Sequence, residues 1–470
     1  MPTPTNPSAN PSNLDSSSPN ASGLTSLETA SSGSHDPVAA ASAGQDVTRV
    51  QDLTTLQWRS GIAAWLGWLF DGLDTSLYIL VALPFVASLV QSTTANPIVS
   101  RYAAYIQAAF LVGWAIGGAV FGRIGDKYGR SRTISITILT YAAFTGLQGL
   151  AWSWTALLMF RFLSALGIGG EWAAGSSLVS ETWPRRWRPW VSAILQSAYQ
   201  CGFMLASLAF MLLAHTDRRW IFAVGVLPAI LVFWIRRSLP ESQEWHIARD
   251  RAGYVAPTIA DLFKGSIRRT TILTILLCSF ALTTVWALIF WYVQQLRQLP
   301  DVISMGETEK VNYIAQAQLI CFSVAIGGNF FAAAIARYFG YRKATFVMFI
   351  GGAISMYMAY GFPHDHIQIL LYASIAHFFV QGIFGLFPLY IPPLFPTLLR
   401  TTGAGFCYNI GRLVAAVGTI VFTFGVSLKH VEDFNHALVW VGMLYIPALL
   451  ITFFIPEPSD IELLEKTDPE

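Results

Sequence analysis

From Trp58 onward the chain alternates between long apolar runs and short polar segments. About twelve of these runs reach the ~20 residues that a helix needs to cross a ~30 Å hydrocarbon core. Their approximate centres are Asp74, Leu111, Ala142, Leu166, Met204, Val226, Val285, Ala325, Gly351, Val380, Ala415 and Leu444. The pattern predicts an all-α membrane protein with twelve transmembrane helices.

A polar stretch from Arg236 to Arg269 divides the runs into two sets of six. This division predicts a first six-helix bundle over residues 53–236, a central cytoplasmic loop over 237–269 and a second bundle over 270–456. Residues 1–52 are rich in Ser, Ala, Pro, Asn and Thr, which predicts a disordered tail and not a signal peptide. Residues 457–470 are expected to form a C-terminal tail.

Composition supports a membrane protein, because 54% of the residues are hydrophobic and only 12% are charged. The net charge of +2 gives no reason to expect nucleic-acid binding, and the sixteen Trp and seventeen Tyr suit membrane interfaces. Four cysteines without C-x-x-C spacing are expected to be buried free thiols. No nucleotide loop, metal-ligand cluster or nucleophile motif occurs, so we expect no enzyme, cofactor or metal site.

The positive charges and the internal repeats indicate how the chain is threaded. Lys and Arg are about three times as frequent in the even-numbered loops as in the odd-numbered ones, which predicts that both termini are cytoplasmic. Tyr338 to Lys343 is similar to Tyr128 to Arg132, and the spacing from Pro396 to Arg400 is similar to that from Pro184 to Arg188. Such repeats are typical of a duplicated six-helix half.

A polar segment from Gly122 to Arg132 reads G-R-I-G-D-K-Y-G-R-S-R and follows the second run. Its glycines predict a sharp turn, and its cations alone would satisfy the positive-inside rule. The pattern G-x-x-x-D-K-x-G-R-x-R between two spans resembles the signature loop of the major facilitator superfamily. The resemblance implies a conformational gate, and Glu181 with Arg188 is expected to add a salt bridge near the membrane surface. The expected gate residues are Gly122, Asp126, Lys127, Gly129, Arg130, Glu181 and Arg188.

Ionisable residues inside the apolar runs are costly and mark function by default. Asp71 and Asp74 lie about 20–24 Å beyond Trp58 along a helix, near the middle of the membrane. They are expected to take up protons, or alternatively to form a polar patch between helices. Arg161 and Glu171 are about 15 Å apart along the fourth run, too far to pair. Glu171 is either a further proton site or a partner of the gate. The proton-coupling candidates are Asp71, Asp74, Glu171 and Arg161.

Arg412 lies in the eleventh run, about 18 Å beyond Arg400 along a helix. Its guanidinium keeps its charge and requires an anion, which is either a carboxylate of the protein or that of a substrate held bidentately. His377 can titrate near neutral pH, although a lone helical histidine also serves in packing. The candidate substrate-binding residues are Arg412, Asp71, Asp74, Gln107, Gln200, His377, Gln381 and Asn409.

Several segments of the first half resemble the sialate:proton symporter family. They are Leu53 to Asp74, Gly167 to Trp172, Glu181 to Arg188, Arg218 to Ile230 and Leu239 to Trp245. In the second half, Phe395 to Arg412 is similar to the aromatic acid:proton symporters.

The resemblance implies proton-coupled uptake of a small organic anion by alternating access, with a monocarboxylate, a sialate-like acid or an aromatic acid as substrate. It also implies a monomer with no cofactor, embedded in the bilayer of the inner (cytoplasmic) membrane. Alternatives are a facilitator or exchanger for a sugar-like or anionic metabolite, and a non-transporting membrane sensor. A sensor would need a folded signalling domain, which neither tail offers.

Overall fold

The computed structural model describes residues 53–94, 96–128, 130–183, 187–213, 215–230, 258–395, 400–425 and 431–455. All of them belong to the compact unit Asp46–Glu470. The two predicted tails and most of the predicted central loop lie outside the described residues. Within the described ranges every regular element is helical, as the sequence predicted.

The first half contains five long helices and one short one. They are α1 (Thr55–Leu89), α2 (Pro97–Tyr128), α3 (Arg130–Gln148), α4 (Trp154–Thr182), α5 (Arg188–Leu212) and the one-turn α6 (Ile221–Val224). Helix α1 begins at a capping box, in which the Thr54 side chain accepts from Gln57 N and Gln57 Oε1 accepts from Thr54 N. These bonds satisfy N–H groups that the first turn of a helix leaves without partners.

Among the described residues, the second half contains seven helices of eight or more residues, besides the one-turn helices Pro300–Ile303 and Phe387–Tyr390. They are α7 (Ile267–Arg297), α8 (Glu307–Phe339), α9 (Tyr341–Tyr360), α10 (His366–Gly382), α11 (Arg400–Gly425), α12 (Val431–Met443) and α13 (Tyr445–Thr452). Helix α10 also begins at a capping box, formed by Asp365 and Gln368. Across the halves, α2 packs against α11 and α5 packs against α8.

Eight helical segments among the described residues are long and apolar enough to cross a membrane. They are Gln57–Leu89, Pro97–Phe121, Trp190–Leu212, Ile267–Arg297, Glu307–Phe339, His366–Gly385, Thr402–Phe422 and Asp433–Thr452. Large apolar side chains such as Leu212, Leu371 and Val421 remain exposed on their outer surfaces, where lipid replaces water. The protein is therefore an all-helical, multi-pass membrane protein.

Two of the predicted span centres, Val226 and Leu444, lie at breaks in the helices. Helix α6 ends at Val224, four residues before Pro228, and α12 ends at Met443, four residues before Pro447. Proline has no N–H to donate to the carbonyl four residues earlier, and its ring clashes with that carbonyl. Proline therefore sets both breaks.

The segment from Gly122 to Arg132 differs from the predicted loop. Helix α2 continues to Tyr128 and α3 begins at Arg130, so Gly122 and Gly125 lie within a helix and not in a sharp turn. Gly129 lies outside the described residues. Polar residues extend a helix past the apolar core without cost, because their side chains reach water beyond the membrane.

Close backbone contacts fix how the helices of the first half pack. A Cβ on Gly117 of α2 would lie 2.1 Å from Leu166 O, and one on Gly169 of α4 would lie 2.1 Å from Trp114 O. Likewise, a Cβ on Gly202 of α5 would lie 2.0 Å from Leu69 O of α1. Glycine at such positions lets two helices meet backbone to backbone, which is a common membrane packing mode.

Candidate functional site

A cavity lies between helices of the two halves, with about 420 Å³ of empty space that includes open solvent, of which about 40 Å³ can hold the centre of a water molecule. Its lining comes from α1, α2 and α5 on one side and from α7, α10 and α11 on the other. The lining residues are Trp68, Trp114, Gln196, Tyr199, Leu282, Val285, Trp286, Ile289, Gln381, Phe384, Tyr408 and Arg412. Six of these twelve are aromatic, and Arg412 is the one ionised side chain among them. An apolar cavity with a few polar groups is typical of a small-molecule site.

Arg412 of α11 is held on several sides. Its side chain is only 2% exposed, and Nη1 donates to Asn409 Oδ1 at 2.9 Å. The guanidinium carbon lies 4.3 Å from the Trp114 ring centroid and 4.6 Å from that of Tyr408. Both are cation–π contacts, in which the guanidinium lies over the ring. This arrangement presents a positive charge of fixed orientation to the cavity.

Asp74 of α1 and Arg161 of α4 form a fully buried ion pair. Arg161 Nη1 donates to Asp74 Oδ2 at 2.9 Å. Thr145 Oγ1 donates to Asp74 Oδ1, and Ser164 Oγ donates to Asp74 Oδ2 at 3.3 Å. Arg161 also donates to the carbonyls of Asp74 and Thr75 at 3.2 and 3.1 Å. The carboxylate is thus surrounded by donors, as a buried charge requires.

Asp71 lies on the same helix in very different surroundings. It is fully buried, and neither of its carboxyl oxygens has a hydrogen-bond partner among the described residues. Glu171 of α4 lies against α1 nearby, since a Cβ on Gly67 would fall 1.8 Å from Glu171 Oε1. The charges that act on buried Asp71 are those of Glu171 and Asp74, both acidic, and of Arg412. Asp71 therefore shares this interior region with two other acids and one arginine.

The remaining predicted binding residues occupy different places. Gln381 lines the cavity, and Asn409 contacts Arg412 beside it. His377 is buried, its Nδ1 bonds to Ala373 O at 2.8 Å and its ring packs against Tyr292. Gln107 and Gln200 are fully buried away from the cavity lining. Within the described residues, their side-chain amides make no hydrogen bond.

The predicted gate lies beyond what the structure describes. Gly129 is outside the described residues, and so are the side chains of the other gate positions. These are Gly122, Asp126, Lys127, Arg130, Glu181 and Arg188.

Sequence reasoning missed the aromatic side chains around Arg412, because tryptophan and tyrosine were assigned to membrane interfaces. Trp114 is 2% exposed inside the molecule, and its ring lies 5.4 Å from that of Trp286 in an edge-to-face contact. The sequence contains one signal for this role, which is the depth of Trp114 in the membrane. Trp114 lies only three residues from the predicted span centre Leu111. A tryptophan at that depth is too far from either surface for an interface role.

A cavity between two sets of membrane-crossing helices, with an arginine in its wall and buried acids beside it, defines a membrane transporter and not an enzyme. The chain belongs to the Major Facilitator Superfamily, whose family model matches residues 64–419. The family predicted from the segment Gly122 to Arg132 is thereby confirmed.

Individual relatives cover nearly the whole chain. It is 29% identical over 404 residues to the sialic acid transporter NanX of Escherichia coli (strain K12), covering 85% of this chain and 95% of the relative. It is also 29% identical over 451 residues to the niacin transporter NiaP of Acinetobacter baylyi, covering 89% and 98%. The fold matches a partially occluded inward open structure of the xylose transporter XylE from E. coli, with a TM-score of 0.68, 16% identity and coverage of 86% and 99%.

Proposed function

We propose that this protein is a proton-coupled symporter that carries a small organic anion across the inner membrane by alternating access. The observation that carries the proposal is Arg412, a permanent cation in the wall of the cavity between the two halves. A buried guanidinium favours an anionic ligand. The names of NanX and NiaP support the same substrate class, because sialic acid and niacin are both carboxylic acids.

In this proposal the carboxylate of the substrate accepts two hydrogen bonds from Arg412. Trp114, Trp286 and Tyr408 then surround the body of the substrate with flat apolar surfaces. Besides Arg412, the polar groups of the lining are two side-chain amides, two tyrosine hydroxyls and three indole N–H groups, each set in an otherwise apolar wall. A flat monocarboxylate such as niacin therefore suits the cavity better than a polyhydroxylated acid, whose unpaired hydroxyls would lower affinity.

We assign the coupling proton to Asp71 together with Glu171. An ionised carboxylate buried without donors is costly, so the uptake of a proton lowers that cost. When Asp71 is ionised its charge attracts Arg412, and when it is protonated Arg412 is left to the substrate. Binding of the anion and the proton thus favour each other. Asp74 stays ionised opposite Arg161 and holds α1 to α4.

The proposed architecture has twelve spans in two bundles, over residues 53–236 and 270–456. Helices α3, α4 and α9 and the segment that begins at α6 would add four spans to the eight apolar segments. The bias of positive charge supports cytoplasmic termini, and the repeated motifs support two similar halves. Asp126 and Arg130 would hold the cytoplasmic side closed in the outward-open state, and the protein would act as a monomer.

The proposal can be tested by uptake into proteoliposomes with an inward proton gradient. The labelled solutes are niacin, benzoate, lactate, sialic acid and xylose, and the variants are Arg412→Ala and Asp71→Asn. We expect accumulation of a flat carboxylate that a protonophore abolishes and that Arg412→Ala loses. Asp71→Asn should retain exchange of labelled for unlabelled substrate but lose accumulation. The exposed Arg268→Ala is the matched control and should behave as wild type.

Other results would support the alternatives. Uptake of xylose that does not respond to the gradient would indicate a facilitator, and strict exchange of two anions would indicate an exchanger. Wild-type accumulation by Arg412→Ala would contradict the assigned binding role.

A further inference from the structure

Pro84 lies inside α1, and the helix continues past it to Leu89. Because proline has no N–H, the carbonyl of Leu80, four residues earlier, receives no hydrogen bond from within the helix. Leu80 is completely buried. A buried carbonyl without its helical donor needs a donor from elsewhere.

That donor comes from the other half of the molecule. Arg297, the last residue of α7, donates from Nη2 to Leu80 O at 2.6 Å. One turn earlier on α7, Gln294 Nε2 donates to Ile79 O at 3.2 Å. Two successive carbonyls of α1 are thus bound by two side chains of α7. We call these four residues the α1–α7 clamp.

The clamp lies at one end of the cavity. Leu80 is twelve residues beyond the lining residue Trp68, or about 18 Å along α1. Arg297 is eight residues beyond the lining residue Ile289, or about 12 Å along α7. Between the cavity and the clamp, Tyr78 and Phe290 stack with ring centroids 6.4 Å apart. With the proposed cytoplasmic termini, this is the extracellular end.

We propose that the α1–α7 clamp holds the extracellular end of the cavity closed and must release before the cavity can open outward. The hydrogen bond from the charged Arg297 to Leu80 O is stronger than one between two neutral groups, and it joins the two halves directly. Once released, Arg297 and the Leu80 carbonyl both reach water at the membrane surface, so the contact can form and break repeatedly. This inference rests on the proposed function in one respect, because the movement that the clamp limits is the proposed alternating access.

Pro84 gives the clamp its acceptor. Any other residue at position 84 would supply an N–H to Leu80 O from within α1 and compete with Arg297. Pro84→Ala therefore weakens the clamp without touching Arg297. This provides a second, independent variant besides Arg297→Met, which removes the donor and keeps a side chain of similar length.

Distance distributions between spin labels can test the clamp on the full-length protein in nanodiscs. The labels replace the exposed residues Thr93 and Glu309, one in each half, after the four native cysteines are replaced. We expect Arg297→Met to raise the ratio of long to short distances about tenfold, the factor that one charged hydrogen bond supports. Pro84→Ala should shift the ratio in the same direction. The double variant should add little, because both changes remove the same bond.

Two controls act at the same end. Asp301→Asn breaks the surface pair with His366 within the second half, and Pro97→Ala replaces a proline at the first position of α2, where no helical bond is lost. Both should leave the distribution unchanged. Unchanged distances in Arg297→Met and Pro84→Ala, or equal shifts in the controls, would overturn the proposal. The distances need no substrate, so a failed transport assay does not affect this result.

Discussion

Asp71 and Asp74 lie less than one helical turn apart, yet the fold treats them as different groups. Asp74 accepts from Arg161, Thr145 and Ser164, whereas Asp71 has no donor among the described residues. In a medium of low dielectric constant, donors decide whether a carboxylate can remain ionised. We therefore assign a structural ion pair to Asp74 and proton uptake to Asp71. The two assignments predict separate effects of substitution.

Asp74→Asn should destabilise the protein strongly, because it leaves the buried charge of Arg161 uncompensated. Breaking one partner of a buried ion pair costs about 3–5 kcal/mol. The free energy of unfolding in detergent should fall by this amount, and the double variant Asp74→Asn/Arg161→Gln should recover part of it. Asp71→Asn, the matched control on the same helix, should unfold like wild type. Equal losses in both single variants would contradict the division of roles.

Arg412→Lys should weaken substrate binding even though it keeps the charge. Lysine cannot form the paired hydrogen bonds of a guanidinium, nor lie flat between Trp114 and Tyr408. One lost hydrogen bond to a charged group corresponds to a KM that is about ten times higher. The maximal rate should change little. Concentration-dependent uptake measures both constants, with Arg268→Lys as control, and an unchanged KM in Arg412→Lys would rule out bidentate binding.

At the scale of helices, proline has different effects in different spans. Pro228 and Pro447 follow breaks, whereas Pro84 lies in a continuous helix whose freed carbonyl is bound by Arg297. A proline can be recognised in the sequence, but the donor that compensates for it cannot, because that donor is 213 residues further along the chain. The apolar runs predict where the helices lie, but they predict unbroken spans at Val226 and Leu444, where the structure has breaks.

At the candidate site, too, contacts between residues that are far apart in the sequence could not be predicted. Its ionisable members were predictable, since a charge inside an apolar run is conspicuous by composition alone. Their grouping was not, because the pairing of Asp74 with Arg161 depends on how α1 meets α4. The backbone contacts at glycines, which fix the packing of α1 on α5 and of α2 on α4, likewise leave only a weak signal in one sequence.

Gly117→Ala should test that packing. The added Cβ would lie 2.1 Å from Leu166 O, so α2 must move away from α4 and take Trp114 with it. Overpacking of this kind costs about 1–3 kcal/mol. We expect a lower unfolding temperature together with weaker substrate binding. Gly405→Ala in α11, where no atom of another described element lies within 4 Å of the new Cβ, is the matched control and should resemble wild type. Loss of stability in both would show that the close contact at Gly117 is not the cause, because alanine is by itself the better helix former of the two residues.

At the scale of the whole molecule, several contacts join the halves at one end. Besides the α1–α7 clamp, Gln318 Nε2 donates to Ser76 Oγ, and Arg218 of the first half pairs with Glu307 of the second at 3.3 Å. The duplication and the charge bias of the sequence predicted two similar halves, but gave no indication of which end is closed. That depends on the balance of contacts between the halves.

If the halves move against each other, a covalent link between them at this end should stop transport, whereas a link within one half should not. Arg218→Cys/Glu307→Cys places two exposed thiols across the halves, since the native side chains are 46% and 72% exposed. Asp301→Cys/His366→Cys places two thiols within the second half, where the native pair lies 3.0 Å apart and is also solvent-exposed. The hydrogen bond from His366 lowers the pKa of Asp301.

A short bismaleimide should link both pairs in a background without native cysteines. Gel mobility after cleavage between the halves verifies the cross-half link, and loss of free thiols verifies the link within the second half. Uptake should be lost only in the cross-half pair, because that link prevents the separation of α8 from the loop before α6. A cleavable cross-linker should restore uptake after reduction. Full uptake by the linked cross-half pair would show that this end does not open during transport, and would require the substrate to enter by another path.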